Sequence, residues 1–462
     1  MSEELNHAAL AQKLNARKQK DRLKNLRQLV ESNHGGINDV SPGTQVGNHL
    51  HTTFSFSPYS PSLAMFLAKL SGLRGVGVVD QDSIGAAEEL EEASNVLGMG
   101  ATLGVQLQVN FEGSALAGTQ LNSRRGTDVG HIVIHGVPHT ELDHVWRFLK
   151  PVQDARHARQ RKQVQRLNKL LGKQRIKPLD FEKEIAKPSE ASVGGSVTGC
   201  HAMHVLAERI VRRTKRGRAV SEYLRDEMKL DVPDWMEERL LDAKNPYYLY
   251  DLTEFLADEL TGEVALSPNK SECVSVEDAV SFANEVGGIP CYMYRGAAES
   301  PDTADAEGDS AQGSGDAAAP GPQRFEQSHM EQLVPALRGI GFRALSYSPR
   351  RNGHAELERL QQLCAEHGLM ELSSIRVQSN RTPFVAEELE QDAYRHLTDS
   401  AWALIAHEKL SACNPRLGLF AAGNPYYDLA LPERIRKYSE LGQRIDRYHP
   451  ERACEELASE LQ

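Results

Sequence analysis

The sequence predicts an α/β fold in which helices cover a mainly parallel sheet. Its 462 residues are enough for one large barrel or for two ordinary domains. Hydrophobic residues make up 40% and charged residues 25% of the chain, which is typical of a soluble globular protein. Short apolar runs alternate with amphipathic segments along most of the length. That alternation favours parallel strands joined by crossover helices.

The first element is an N-terminal helical extension, predicted for residues 1–40. Leucines recur at helical spacing among lysine, arginine and glutamine between residues 3 and 32. The following stretch, HGGINDVSPG, contains the glycines and proline that are typical of a loop.

The second element is a barrel-like domain, predicted for residues 44–384. Helices are expected near residues 61–73, 83–97, 197–231, 249–260 and 354–367. Strands are expected from Val46 and in the runs RGVGVVD, ATLGVQLQVNFEG, HIVIHGV, GIPCYMYRG, GFRALSYSP and LMELSSIRV. Residues 385–462 are predicted to form a C-terminal helical segment.

Two segments of the barrel-like domain have an unusual composition. Residues 147–177 contain eleven Lys or Arg and only Asp154 as an acid, so they form either an anion-facing helix or a solvated charged face. Residues 297–323 are rich in Ala, Gly, Ser, Pro and acids without periodicity, which predicts a disordered loop. The α/β alternation resumes after this loop, so we expect it to be an insertion within one domain.

Charge and cysteine usage narrow the class of protein. The net charge is −11, which argues against the whole chain as a binder of polyanions, and nucleic acid is supported only by the basic helix. Six scattered cysteines without a C-x-x-C pair favour reduced thiols in a cytoplasm. No apolar run approaches the ~20 residues of a membrane span, and we expect no membrane partner.

The clearest chemical motif is His49-Leu50-His51. Because a strand repeats every two residues, both imidazoles are expected on one face. Imidazole is a good ligand for zinc, iron or manganese. The alternative is a pair of hydrogen-bonded or surface histidines without a ligand.

The run HLHTTFS, followed by an apolar strand that ends in VDQDS, resembles the polymerase and histidinol phosphatase (PHP) family. The longer phrase HTTFSFSPYSP resembles a bacterial subgroup of that family. The resemblance implies a distorted (β/α)7 barrel, here with an N-terminal helix, a helical insertion and a C-terminal helical cap. It also implies two or three divalent metals and hydrolysis of a phosphate ester by metal-bound hydroxide.

Several positions depart from the family pattern. Gln81 stands where the family has a histidine, Gln106 where it has a glutamate, and Arg376 near an expected Asp-x-His or Asp-x-Asn pair. Glutamine removes a strong ligand or its charge, and arginine cannot coordinate a cation. The resemblance leaves one or two zinc, manganese or iron ions at most, or none. The ligands that it implies are His49, His51, His135 and His201.

Arginines in two loops after predicted strands suggest an anion site. Arg351 lies in SPRRN and Arg381 in SNRTPF, and loops at the mouth of such barrels usually carry the site. We predict that both bind the phosphate of a small phosphorylated ligand; the alternative is loop solvation.

Three functions remain open at this stage. The first is a PHP-type protein with a partly degenerated metal site, weak or lost hydrolysis and retained phosphate binding. The second is an active metal-dependent phosphoesterase with a reduced metal centre. The third is a regulatory module that contacts an anionic partner through the basic helix.

Overall fold

The computed structural model describes residues 13–123, 127–172, 174, 176–296, 325–444, 452 and 455. The segment 297–323, predicted to be disordered, lies outside the described residues, as do the first twelve residues of the predicted N-terminal extension. The five described cysteines are free thiols. None of the helices in these ranges combines the length and apolar character that a bilayer crossing requires.

Strands are found in every run where alternation predicted one. Their bounds are β1 Val46–Leu50, β2 Gly75–Val78, β3 Gly100–Leu103, β4 Val105–Asn110, β5 Val129–His135, β6 Val274–Ser275, β7 Ile289–Met293, β8 Ala344–Tyr347 and β9 Met370–Ser373.

Helices fill most of the connections between these strands. Their bounds are α1 Gln19–Glu31, α2 Pro61–Leu70, α3 Ala87–Leu97, α4 Leu142–Gly172, α5 Gly199–Thr214, α6 Arg218–Asp226, α7 Asp234–Leu241, α8 Tyr248–Val264, α9 Val276–Glu285, α10 Phe325–Ser328, α11 Met330–Ile340, α12 His354–His367, α13 Arg395–Cys413 and α14 Leu431–Arg444.

The strands form two sheets that meet at two isolated bridges. One sheet has the order β1-β2-β3 and is parallel, and the other has the order β6-β4-β5-β7-β8-β9. Leu50 at the end of β1 bridges Val377 after β9, and Gln81 after β2 bridges Gln106 in β4, both in parallel. The ends of β1, β2 and β4 are therefore neighbours in space.

The expectation of a parallel sheet needs correction at β5. This strand pairs antiparallel with both β4 and β7, whereas β7, β8 and β9 are parallel to one another. The described part of the connection from β4 to β5 contains no helix, and a connection without a crossover helix allows adjacent strands to run antiparallel.

The region between β5 and β6 is a helical unit, formed by α4 to α8, with a hydrophobic core of its own. Leu167 of α4, Leu206 of α5, Leu224 of α6 and Leu256 of α8 are buried in this core. The sequence predicted a basic helical insertion at 147–177, and the structure places that segment in the larger unit. Only part of α4 therefore faces solvent.

Two further helices complete the packing: α1 lies against helices α2 and α3, and α13 lies against the sheets. Leu23 and Leu26 of α1 belong to the main hydrophobic core, and Arg22 forms a buried ion pair with Glu89 of α3 at 2.5 Å. Helix α13 is buried along nearly its whole length and packs on β9, β3 and β1. Helix α13 thus covers parts of both sheets.

Candidate functional site

The end of β1 carries the two histidines into the interior. The amide of His51 donates to the carbonyl of Val377, and the amide of Val377 donates to the carbonyl of His49, both at 3.0 Å. The imidazole centroids are 5.3 Å apart, and the residues are 1% and 2% exposed. The strand geometry therefore brings the two rings together on one face, as the alternation predicted.

His135 and Gln106 join this pair, and we call the four residues the imidazole cluster. His135 ends β5 and Gln106 lies in β4; both are buried. His135 and Gln106 each act on the pKa of His49, so they lie close to it.

Most polar atoms of the imidazole cluster lack a hydrogen-bond partner among the described residues. Nε2 of His51 and Nε2 of His135 have none, and the ring nitrogens of His49 and the amide of Gln106 have no well-formed hydrogen bond beyond their contact with each other. A buried polar group without a partner costs about 1–3 kcal/mol of stability. So many in one place indicate a site that is completed by water or by a ligand.

The histidines of the cluster are neutral at physiological pH. Burial holds the pKa of His49 well below its usual range, and His51, Arg376 and His135 lower it further. Burial and then Arg376 do the same for the pKa of His51. Burial lowers the pKa of His135 to about 3. Each neutral ring offers one N–H donor and one nitrogen lone pair.

Arg376 supplies positive charge beside these rings. The residue is 9% exposed, and its Nη1 donates to Oε1 of Gln378 at 3.4 Å. Arg376 directly precedes Val377, whose backbone pairs with His49 and His51, and its positive charge lowers the pKa of both histidines. The local charge therefore disfavours a second cation and favours an anion.

The two carboxylates that flank Gln81 are both engaged. Asp80 accepts from the amide of Thr52 at 2.6 Å, its hydroxyl at 2.5 Å and the hydroxyl of Ser55 at 2.6 Å. Burial raises the pKa of Asp80 to about 6. Oδ2 of Asp82 lies 2.5 Å from Nε of Arg156, which comes from α4.

The residues present do not fit a centre of two or three metals. Among the residues that the structure describes, no group of three or more His, Cys, Asp or Glu side chains is arranged to hold a metal ion. Shared metals need carboxylates to offset their charge, and Asp80 and Asp82 already have partners. The neutral imidazoles are suitable donors for at most one ion, and Arg376 opposes it.

His201, the fourth predicted ligand, caps a helix. Its Nδ1 accepts from the amide of Thr198 at 3.1 Å in a capping box at the start of α5. Its ring lies 5.1 Å from that of Phe56, which also contacts His204 and Tyr250. Burial lowers the pKa of His201 to about 3. This position explains the histidine structurally, and a role in metal binding stays a prediction.

The two arginines predicted to clamp a phosphate have protein partners. Arg381 forms a two-point ion pair with the buried Asp251 of α8, with Nη2 at 2.6 Å from Oδ2, and lies over the ring of Tyr247. Nε of Arg351 donates to the carbonyl of Arg295 at 3.0 Å, and Arg351 is 5% exposed. Their charge is therefore used in part to hold the loops in place.

Sequence reasoning missed a second cluster, formed by Arg156, Arg159, Asp82 and Glu272, which we call the ion-pair cluster. All four residues are less than 9% exposed. Arg159 binds Glu272 through Nη2 at 2.5 Å and Nε at 2.6 Å. One face of α4 carries residues at helical spacing, namely Val152, Arg156, Arg159 and Gln163. This spacing could have predicted that two of the basic residues point inward.

Arg156 and Arg159 are buried, so both sequence interpretations of residues 147–177, an anion-facing helix and a solvated charged face, are wrong for these two residues. Other cations of α4 remain at the surface, such as Arg161, which pairs with Glu182. Paired and scattered cations do not make a strong anion surface, because exposed ion pairs contribute little and are screened by salt.

Comparisons with known proteins leave the family open. No protein-family model matches this chain, and no curated protein does. A crystal structure from Bifidobacterium adolescentis, named provisionally as a metal-dependent phosphoesterase, is similar with a TM-score of 0.46, 18% identity and coverage of 75% of this chain and 93% of that one. An amidohydrolase structure from Chromobacterium violaceum is similar with a TM-score of 0.44 and 14% identity. The match covers 73% of this chain and 88% of that one. With TM-scores below 0.5, neither similarity assigns a family or an activity here.

Proposed function

We propose that this chain is a PHP-type protein with a partly degenerated metal site, which binds a small phosphorylated ligand and hydrolyses it slowly or not at all. The observation that carries the proposal is the imidazole cluster beside Arg376: buried polar atoms without partners, next to a cation, with both nearby carboxylates engaged. The barrel of the PHP type is part of the proposal, supported by the bridges that join the two sheets.

The chemistry of the cluster suits a phosphate group. A guanidinium binds phosphate oxygens through charge-assisted hydrogen bonds. Neutral imidazoles and the Gln106 amide offer N–H donors that complete the shell of an anion. Arg376 would thereby supply the positive charge that metal ions provide in an active phosphoesterase.

Slow or absent hydrolysis follows from the same residues. Attack of water on a phosphate ester needs a group that lowers the pKa of the water and charges that stabilise the leaving oxygen. Gln81 and Gln106 cannot carry the charge of a carboxylate, Asp80 accepts three hydrogen bonds, and the charge of Asp82 is balanced by Arg156. The site is therefore built to hold an anion more than to transform it.

Titration with inorganic phosphate tests this proposal. We expect wild-type protein to bind phosphate in calorimetry, and Arg376→Gln to bind on the order of tenfold more weakly, since one charge-assisted hydrogen bond is worth about 1.5–3 kcal/mol. Arg161→Gln, the same change at an exposed ion pair, should leave the affinity unchanged. The proposal is wrong if wild-type protein hydrolyses phosphomonoesters rapidly with manganese or zinc and His49→Ala abolishes that rate.

A second candidate is a phosphoesterase with a single metal ion. It is favoured by the neutral state of His49, His51 and His135, because neutral imidazole is the form that coordinates zinc, iron or manganese. Metal analysis of protein purified without chelator separates the two candidates. One tightly held ion per chain supports the phosphoesterase, and phosphate binding by metal-free protein supports the anion site.

A further inference from the structure

The ion-pair cluster and the imidazole cluster are joined by a backbone hydrogen bond between one residue of each. The amide of Asp82 donates to the carbonyl of Gln106 at 2.8 Å, and the side chain of Gln106 lies beside His49. Asp82 is fully buried and adopts a left-handed backbone conformation with φ of 50°. This unusual conformation turns the chain immediately after Gln81, at the point where α4 approaches.

A single guanidinium gathers the polar groups at this turn. Nε of Arg156 lies 2.5 Å from Oδ2 of Asp82 and 3.6 Å from Oε1 of Glu272. With the Gln81 amide oriented toward it, the side-chain oxygen of Gln81 accepts from Nη1 and Nη2 of Arg156 at 3.2 and 3.3 Å. Two carboxylate oxygens and one amide oxygen thus surround one buried positive group.

Oxygen donors around one positive centre are the arrangement that a hard divalent cation takes in a protein. Neither oxygen of Asp82 makes a well-formed hydrogen bond to a residue that the structure describes: Oδ2 has the ion-pair contact with Arg156, and Oδ1 is buried without a contact of that kind. Arg159 matches the charge of Glu272. Arg156 therefore balances the negative charge of Asp82.

We propose that Arg156 stands in the place of a metal ion: its guanidinium neutralises Asp82 and holds the oxygen of Gln81, and without it these oxygens bind a divalent cation. This inference rests on the proposed function in one respect, the loss of the family's metal centre. Arg156 is a positioning residue here, because it acts through Asp82 and the turn that carries Gln81.

An ordinary structural ion pair makes a different prediction. If Arg156 only fills space and balances charge, its removal destabilises the protein by leaving Asp82 unpaired, and no cation repairs the damage. If Arg156 replaces a metal, its removal opens a site, and a cation restores the lost stability in a saturable manner because only the folded state binds it.

The experiment compares Arg156→Gln with wild-type protein during titration with MnCl2 alone. We expect the variant to bind Mn²⁺ on the order of tenfold more tightly than wild type in calorimetry, with a saturable rise of Tm. The double variant Arg156→Gln, Asp82→Asn should lose this binding. Arg159→Gln is the matched control: it removes an equal charge one turn along α4 and should gain no Mn²⁺ binding that depends on Asp82.

The outcomes decide the inference even if a variant folds poorly. Recovery of Arg156→Gln from urea only in the presence of Mn²⁺ supports it. Failure to refold with Mn²⁺ overturns it, whether or not the double variant folds. Binding that survives Asp82→Asn also overturns it. None of these readouts involves phosphate or phosphatase activity, so the proposed function stands or fails separately.

Discussion

The imidazole cluster and the ion-pair cluster are neighbours in space, yet their buried polar groups are satisfied to different extents. In the ion-pair cluster, Arg156 and Arg159 face Asp82 and Glu272 at 2.5 Å, so each charge has a partner of opposite sign. In the imidazole cluster, neither ring nitrogen of His49 makes a well-formed hydrogen bond to a described residue, and the neutral amide of Gln106 is its nearest polar contact. The charges of the ion-pair cluster balance one another, although Asp82 and Nε of Arg156 make no well-formed hydrogen bond, and the neutral rings of the imidazole cluster gain no stabilisation of that kind.

This difference distinguishes buried polar groups that stabilise the fold from buried polar groups that are kept for binding. Buried polar groups in folded proteins are nearly always paired, so a group of unpaired atoms marks a place where folding stability is given up for another purpose. Paired charges resist change because removing one leaves the other in a medium of low dielectric constant. The two clusters should therefore respond in opposite directions to the loss of a polar side chain.

The largest effect is expected in the ion-pair cluster. Glu272→Ala should lower the free energy of unfolding by about 3–5 kcal/mol, because it leaves the buried guanidinium of Arg159 without its partner. Urea unfolding with a constant m-value measures this. Glu182→Ala, at an exposed pair with Arg161, should cost no more than about 1 kcal/mol. Equal losses in the two variants would show that Arg159 finds solvent or another partner.

The sequence could predict those features of the site that depend only on the geometry of a single strand. The same-face placement of His49 in β1 and His51 directly after it follows from the period of a strand and needed no knowledge of the rest of the fold. The strand that ends in His135 was likewise predicted from alternation.

Contacts between distant residues could not be predicted. Arg156 and Arg159 looked like solvated charges because their partners, Asp82 and Glu272, lie far away in the sequence. Arg381 looked like a phosphate ligand because its partner, Asp251, belongs to a helix of the helical unit. The antiparallel direction of β5 depended on which strands it would meet, and composition does not encode that choice.

A smaller effect should appear in the pH dependence of Asp80. Burial raises the pKa of its carboxyl from 3.8 to about 6, although three hydrogen bonds oppose the rise. A raised pKa in the folded state adds stability that is present below pH 4 and lost as pH rises through about 6. The stability advantage of wild type over Asp80→Asn should therefore shrink by about 1–3 kcal/mol between pH 4 and pH 7.

Urea unfolding of both proteins at several pH values measures this difference, and other buried carboxyls cancel because both proteins contain them. An advantage that grows with pH would mean that the bonds from Thr52 and Ser55 lower the pKa of Asp80 more than burial raises it. Asp80 would then resemble the paired charges of the ion-pair cluster.

The smallest change in the free energy of unfolding is expected in the imidazole cluster, where a substitution should stabilise the protein and not destabilise it. His49→Leu should raise the free energy of unfolding by about 1 kcal/mol in the absence of ligand. Removing the poorly hydrogen-bonded ring nitrogens should stabilise the folded state by about 1–3 kcal/mol. Imperfect packing of leucine should destabilise it by up to about 1.5 kcal/mol. Urea unfolding measures the gain, and phosphate titration of the same variant should show weaker binding, because one N–H donor is gone.

The control is His204→Leu, the same substitution at a histidine whose Nδ1 contacts the hydroxyl of Thr253 at 3.0 Å. That variant should lose stability by about 1 kcal/mol, since a hydrogen bond is broken and nothing unpaired is removed. If His49→Leu also loses stability, the nitrogens of His49 are satisfied in the free protein by ordered water, and the cluster is structural. If it gains stability and loses phosphate binding together, the unpaired imidazole is retained for its ligand.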